Sequence, residues 1–153
     1  MEIEWDVAIT LIIASYGALL STYSIWNKRQ EQRRKIKVEL SYGLLRAGLT
    51  SDVSSVLIIS AKNTGRKTVT LSSMGLVLPD KKYLAFLYPK SNVSFPYDLP
   101  EGKDCNVWIE TEELTKDLKK GGYSGKISLI GYYKDAIGGM YKSKSLKFDT
   151  EKP

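Results

Sequence analysis

The chain has 153 residues, which is enough for one folded domain and an appended segment. It carries 23 basic and 17 acidic residues, a formal net charge of +6, and no histidine. Histidine-based catalytic triads and histidine-ligated zinc are therefore excluded. The single cysteine, Cys105, excludes a disulfide scaffold and a thiolate metal site within one chain, and it favours a reducing compartment.

The recognisable catalytic and cofactor motifs are also missing. The sequence contains no phosphate-binding GxxxxGK[ST] loop, no GxGxxG pattern after a strand and no EF-hand loop. We therefore expect a protein that is not an enzyme and that binds no cofactor or metal. An enzyme that uses only carboxylates, lysine or tyrosine is the alternative.

The first segment with a clear pattern runs from Val7 to Trp26, twenty consecutive residues without a charge. At about 1.5 Å per residue a helix of this length spans ~30 Å, the thickness of the hydrocarbon core of a bilayer. Trp5, Tyr23 and Trp26 lie near its ends, where aromatic rings favour the headgroup layer. A cleaved signal peptide begins with basic residues, whereas this segment follows acidic ones, and a surface-lying helix needs a charged face. The segment predicts a membrane-spanning helix.

A cluster of cations follows the span and predicts its orientation. The positive-inside rule places such cations in the cytoplasm, so we expect the amino terminus outside and the rest of the chain inside. Residues 27–35 contain no Gly or Pro, which predicts about two further helical turns. The cations are candidates for contact with anionic lipid headgroups, although they can also act as a topology signal alone. They are Lys28, Arg29, Arg33, Arg34 and Lys35.

Small residues recur along one face of the predicted span. Their spacing of 4, 3, 4 and 3 aligns them on a helix, and such a seam lets a second helix approach closely. The alternative is that the hydroxyl groups bond only to their own backbone. The seam consists of Thr10, Ala14, Gly17, Ser21 and Ser24.

From residue 36 the hydrophobic pattern changes from helical to alternating, which is typical of β-strands. We therefore divide the chain into residues 1–35, the membrane segment, and residues 36–153, a β domain. Gly, Pro, Asn and Asp clusters separate the apolar runs. The predicted strands are 36–44, 56–62, 68–72, 75–78, 83–87, 105–110, 127–133 and 141–148.

One helix interrupts the strands at 111–120. Thr111 is its predicted N-cap, and Gly121 and Gly122 are expected to end it. Leu114 and Leu118 lie one turn apart, so we expect them to fix the helix over an open end of the sheets.

About seven short strands with regular turns predict an antiparallel β-sandwich with one short helix. By the spacing of its strands, the segment 36–149 resembles an immunoglobulin-like or fibronectin-type domain. Tyr123, just before a predicted strand, lies where such domains often place a corner tyrosine. The cysteine pair of antibody domains is absent, so the resemblance implies a fold and no immunoglobulin function.

Two regions of the β domain are candidate surfaces, and the first is the predicted strand 105–110. Cys105 alternates with Val107 and Ile109, which predicts a buried, inert thiol. Trp108 is on the opposite face of that strand and is a candidate interface residue, unless the helix or a loop covers it.

The second region, 83–97, is rich in aromatic residues, among them Tyr88 and Phe95, which are also candidate interface residues. With Lys81, Lys82 and Lys90 nearby it is a candidate stacking surface for nucleic acid. The alternative is an edge strand and a proline-containing loop that pack on the core.

These patterns together favour a membrane-anchored interaction module without enzymatic activity. We expect it to hold a protein partner, or a second copy of itself, at the cytoplasmic face of the membrane. Membrane lipid is the other expected contact. A membrane-tethered nucleic-acid-binding protein is the second hypothesis.

Overall fold

The computed structural model describes residues 5–31, 33–46 and 53–151. The chain divides into two compact units, residues 1–33 and residues 34–153.

The first unit is a single long helix, α1 (Trp5–Glu31). Residues Trp5–Arg29 are long and apolar enough to cross a membrane, and among the described residues none of their most apolar stretch is buried. This length and composition are those of a membrane anchor and of a signal sequence alike.

The helical extension beyond the span is shorter than the predicted two turns. The helix α1 ends at Glu31, and residues 33–35 are not helical. The backbone carbonyl of Lys35 accepts hydrogen bonds from Thr64 N at 2.8 Å and Gly65 N at 3.2 Å, within the second unit. The chain then enters the first strand at Ile36. Tertiary bonds therefore fix this segment in a non-helical conformation.

The second unit consists of two antiparallel sheets that form a β-sandwich, as predicted. The first sheet has the order β1-β2-β7-β5, and the second has the order β4-β3-β8-β9, with β6 also paired to β3. The strands are β1 (Ile36–Arg46), β2 (Val53–Asn63), β3 (Val69–Val77), β4 (Tyr83–Ala85), β5 (Lys90–Ser91), β6 (Tyr97–Leu99), β7 (Asp104–Glu110), β8 (Lys126–Asp135) and β9 (Met140–Asp149).

Two details of the strand prediction differ from the structure. The runs 68–72 and 75–78 belong to one strand, β3, whose pairing with β8 shifts register between Leu71 and Ser73. This irregularity breaks the sequence alternation without ending the strand. The very short strands β5 and β6 were not predicted, because two or three residues carry no detectable period.

The inner faces of the sheets form one core. Tyr133 of β8 is fully buried, and its hydroxyl donates to the carbonyl oxygen of Ile59 in β2 at 2.8 Å. This bond joins the two sheets. Cys105 is fully buried and free, as predicted, and burial raises the pKa of its thiol to about 11.

The helix α2 (Thr111–Lys120) has the predicted bounds, and Leu114 and Leu118 are buried as expected. The predicted cap is wrong. Glu110 occupies the N-cap position without a side-chain cap bond, and Thr111 is the first helical residue. The Thr111 hydroxyl donates instead to the carbonyl oxygen of Ser55 at 3.1 Å and ties the start of the helix to β2.

Tyr123, the candidate corner tyrosine, lies in the turn that follows α2. Its backbone N–H donates to the carbonyl of Leu118 at 3.0 Å, which closes the turn after α2. Interaction with the Asp80 carboxylate, in the turn after β3, raises the pKa of the Tyr123 hydroxyl.

Several turns meet at the end of the sandwich where the chain enters, which we call the entry end. Asn63, fully buried, donates from its amide nitrogen to the carbonyls of Lys67 at 2.8 Å and Leu99 at 2.9 Å. Its backbone carbonyl accepts from Gly102 N at 3.0 Å. A salt bridge of 3.8 Å between Arg34 and Asp135 adds the β8–β9 turn to the same end.

Candidate interaction surface

The loop 86–89 connects β4 in one sheet to β5 in the other. Lys90 of β5 pairs with Trp108 of β7, so this crossing brings the loop beside Trp108. Two segments that are some twenty residues apart in sequence, and were predicted separately as candidates, therefore form one surface.

A cleft of about 310 Å³ lies at this point. Half-buried apolar side chains form part of its lining, and two carboxylates from α2 complete one side. Glu113 and Asp117 are one helical turn apart and both contribute to the cleft. The lining includes Phe86, Tyr88, Trp108, Ile109, Glu113 and Asp117.

The loop beside the cleft exposes large apolar side chains. Leu87 is 83% exposed and Tyr88 is 96% exposed, at two consecutive positions. Residues 87–95 also line a shallower depression of about 700 Å³. A tyrosine supplies a large contact area with few rotatable bonds, which is why such residues often dominate the energy of protein interfaces.

The three predicted interface residues differ in their placement. Trp108 is half-buried and lines the cleft with Tyr88. Phe95 contributes to the shallower depression, but its ring also packs on the core, 6.2 Å from the ring of Tyr133. Tyr88 and Trp108 are therefore available at the cleft, whereas Phe95 is partly used by the core.

The lysines near this surface are largely paired with carboxylates. Lys90 forms a 2.6 Å salt bridge with Glu110, which raises the pKa of Lys90. Lys82 forms a 2.8 Å salt bridge with Asp80. Hydrogen bonds from Lys82 and then Tyr123 lower the pKa of the Asp80 carboxyl to about 2. Two of the three lysines considered for nucleic-acid binding are thus neutralised locally.

Sequence reasoning did not single out Leu87, Glu113 or Asp117. The spacing of Glu113 and Asp117 places both on one face of the predicted helix, which was a usable signal. Their closeness to Trp108 depends on how β7 leads into α2 and could not be read from spacing.

All five residues of the seam on α1 are exposed within its own unit. The Thr10 hydroxyl donates to the carbonyl oxygen of Asp6 at 2.7 Å, so this hydroxyl already has a partner in its own helix. At Gly17 an added Cβ would meet no atom within 4 Å.

The predicted headgroup contacts are in two different settings. Lys28 and Arg29 belong to α1, whereas Arg33 and Lys35 lie after it, and all four are exposed. Arg34 is half-buried in its salt bridge with Asp135. Arg34 is therefore committed to the β domain.

Within residues 5–31, 33–46 and 53–151, no group of three or more Cys, Asp or Glu side chains is placed to hold a metal ion.

No family model matches the chain, and no curated protein matches it in sequence. Among solved structures, the chain is similar to a crystal structure of a Bordetella pertussis protein described as ApaA. The TM-score is 0.41 and the sequence identity is 8%, over 78% of this chain and 97% of that chain. A similarity at this level carries no function to the present chain.

Proposed function

We propose that the chain is a non-enzymatic, single-pass membrane-anchored interaction module with its β domain in the cytoplasm. The surface formed by Leu87, Tyr88 and Trp108 binds a protein partner and holds it at the membrane. We propose the orientation from the cations that follow the apolar helix.

The anchoring role is supported by the exposure of α1. Its apolar side chains are exposed along the whole helix, among them Leu11 at 68% and Leu19 at 70%. Leaving so many large apolar side chains in water is unfavourable, at about 1.5–3 kcal/mol for each. A lipid environment removes this cost.

We also propose that the sandwich belongs to the immunoglobulin-like class. In that class one sheet has strands A, B, E and D in this order, and the other has C, F and G. With β4 and β6 set aside, the orders β1-β2-β7-β5 and β3-β8-β9 correspond to it, which supports the proposal. Domains of this architecture often serve as binding scaffolds, an analogy of fold alone.

The observation that carries the binding proposal is the exposure of Leu87 and Tyr88 beside the Trp108 cleft. Glu113 and Asp117 add negative charge at the side of the cleft, so we expect a partner segment with apolar side chains next to a lysine or arginine. The same carboxylates repel phosphate, which disfavours nucleic acid at this surface.

The test is site-specific photocrosslinking with the full-length protein in native membranes. A photoreactive amino acid replaces Tyr88 at the surface or, as the matched control, exposed Ser128 on β8. We expect a discrete adduct from position 88 and none from position 128. Leu87→Ser and Glu113→Lys, both at exposed positions, should each reduce that adduct.

The adduct also identifies the class of partner. An adduct of twice the chain mass, formed by the purified protein, indicates self-association, and a different protein mass indicates another partner. A nuclease-sensitive adduct, or equal crosslinking from both positions, would refute the proposal.

A further inference from the structure

The entry end of the β domain carries one large apolar side chain at the tip of a hairpin. Ile137 lies in the turn between β8 and β9 and is 71% exposed. Core packing does not require this residue. Its side chain is therefore accessible for a contact outside the domain.

The hairpin that presents Ile137 is firmly built. Asp135 is 5% exposed, and its carboxylate accepts from Ile137 N at 3.1 Å, Gly139 N at 2.6 Å and the Tyr141 hydroxyl at 2.9 Å. An added Cβ at Gly139 would lie 2.6 Å from that carboxylate, so the turn requires this glycine. The Ile137 side chain is thus directed outward from a fixed turn.

Exposed cations lie on the turns that join this hairpin at the entry end. The backbone carbonyl of Lys35 accepts hydrogen bonds from the turn 63–65. The carbonyl of Lys67 accepts from the side-chain amide of Asn63, and the carbonyl of Lys103 accepts from the backbone N–H of Asn63. All three lysine side chains are exposed. Glu101 lies on one of these turns, and Asp98 and Asp104 lie beside them; all three are exposed. Arg66 and Lys62 are further exposed cations at this end. The entry end therefore combines an apolar tip with an excess of positive charge.

The sequence that joins the two units is short. The helix α1 ends at Glu31 and the β domain begins at Arg34, so residues 32 and 33 join them. If α1 crosses the bilayer, these two residues tether the start of the β domain to the membrane anchor.

We propose that the entry end docks on an anionic phospholipid surface. Ile137 inserts into the headgroup layer, and Lys35, Lys67 and Lys103 contact lipid phosphates. The combination is that of a peripheral membrane contact, in which an apolar group and nearby cations act together. This inference rests on the membrane anchorage in the proposed function, and it is independent of the partner surface at Tyr88.

The experiment uses the full-length protein reconstituted into vesicles of phosphatidylcholine alone, or of phosphatidylcholine and phosphatidylglycerol in equal amounts. An environment-sensitive fluorophore is attached to Ala136→Cys, next to Ile137, or to the control Ser128→Cys on β8. Both positions are exposed, whereas the native Cys105 is buried. Labelling is therefore confined to the introduced cysteine.

We expect the label at position 136 to shift to shorter emission wavelength and to be quenched by spin-labelled lipid in the anionic vesicles. Ile137→Asp should abolish both effects, and the double variant Lys67→Glu/Lys103→Glu should reduce them to the level in phosphatidylcholine alone. The label at position 128 should show neither effect.

Flotation of the vesicles after an alkaline wash tests the anchor separately. If the protein does not float with the vesicles, the anchorage and this inference are both wrong. If it floats, but the label at position 136 is quenched no more than the label at position 128, the docking inference alone is wrong. Quenching that is equal with and without phosphatidylglycerol would overturn the role of the lysines.

Discussion

Asp135 shows how one buried carboxylate can organise a whole turn. It accepts three hydrogen bonds from its own hairpin and pairs with Arg34 at 3.8 Å. Asp135→Ala would leave buried donors and an arginine without their acceptor. We expect a loss of about 2–4 kcal/mol in the free energy of unfolding. Chemical denaturation of the protein in detergent measures it.

The control for this prediction is Tyr141→Phe, which removes only one of the three donors. It should cost about 1 kcal/mol. Equal stability of the Asp135→Ala variant and the native protein would show that the turn does not depend on this carboxylate.

Cys105 gives a second prediction at this scale. Its thiol is fully buried, and burial raises the thiol pKa from its ordinary value of 9.0 to about 11. Only the thiolate reacts rapidly, so alkylation of the folded protein at pH 8 should be very slow. The rate should increase as the pH approaches 11 and should become fast at pH 8 in denaturant. Fast labelling of the folded protein at pH 8, followed by mass spectrometry, would contradict the burial of this residue.

Sequence reasoning succeeded for residues whose role follows from local alternation. Cys105 between apolar neighbours on a strand face was predicted correctly. Thr111 was assigned as a cap because threonine is common there, but its hydroxyl has a tertiary partner in Ser55. Asp135 lay within a recognised turn signal, yet its burial depends on Arg34 and Tyr141, which only the folded chain brings together.

The helix α1 carries the seam of small residues, and Gly17 lies at its middle. Within the part of the chain that the structure describes, an added Cβ at Gly17 meets no atom within 4 Å, so Gly17→Leu should leave the helix itself intact. If the seam mediates helix association, Gly17→Leu and Ser21→Leu should weaken it by about 1 kcal/mol.

Leu19→Ile, off the seam, is the matched control and should have no effect. A membrane dimerisation reporter at matched expression compares the three variants. Equal signals would indicate a monomeric anchor, with hydroxyls bonded within the helix as Thr10 is to Asp6.

The start of the β domain gives a prediction about domain boundaries. A fragment beginning at residue 36 should fold and be soluble, because the sandwich has its own core. A fragment beginning at Arg34 keeps the bonds to the Lys35 carbonyl and the salt bridge to Asp135. It should be more stable by about 1–2 kcal/mol. Thermal unfolding of both fragments measures the difference, and identical midpoints would show that residues 34 and 35 are dispensable.

Elements with a sustained period were predictable from sequence. The helix α2 has the predicted bounds, and the long strands β1, β2, β8 and β9 extend beyond the predicted runs by a few residues. The irregularity in β3 made one strand look like two, because Ser72 and Ser73 interrupt the apolar alternation. The end of α1 was misplaced, because hydrogen bonds to Lys35 override the good helix propensity of its neighbours.

At the scale of the whole molecule, the proposed topology places the amino terminus and the β domain on opposite sides of the membrane. In intact cells, Glu2→Cys should react with a membrane-impermeant thiol reagent, whereas Ser128→Cys on β8 should react only after permeabilisation. The native Cys105 does not interfere, because it is buried. The reverse labelling pattern would place the β domain outside and would change the set of available partners.

The overall class could be predicted from sequence: the alternating apolar residues indicated a β-sandwich, and the uncharged run Val7–Trp26 indicated an apolar helix before it. The composition of the cleft was not predicted, because the two-residue strand β5, which pairs Lys90 with Trp108, brings the loop 86–89 beside that tryptophan. A surface assembled by so short a strand has almost no sequence signature of its own.

The edge strand β9 has a further consequence. Among the strands that the structure describes, β9 pairs only with β8, and it carries the exposed lysines Lys142, Lys144 and Lys147. An unpaired edge is a template for strand addition between molecules, and lysines on it oppose such addition by repulsion. If the protein is confined to a membrane, its copies meet in two dimensions and at high local density. We therefore expect the lysines of β9 to keep crowded copies from joining edge to edge into fibrils.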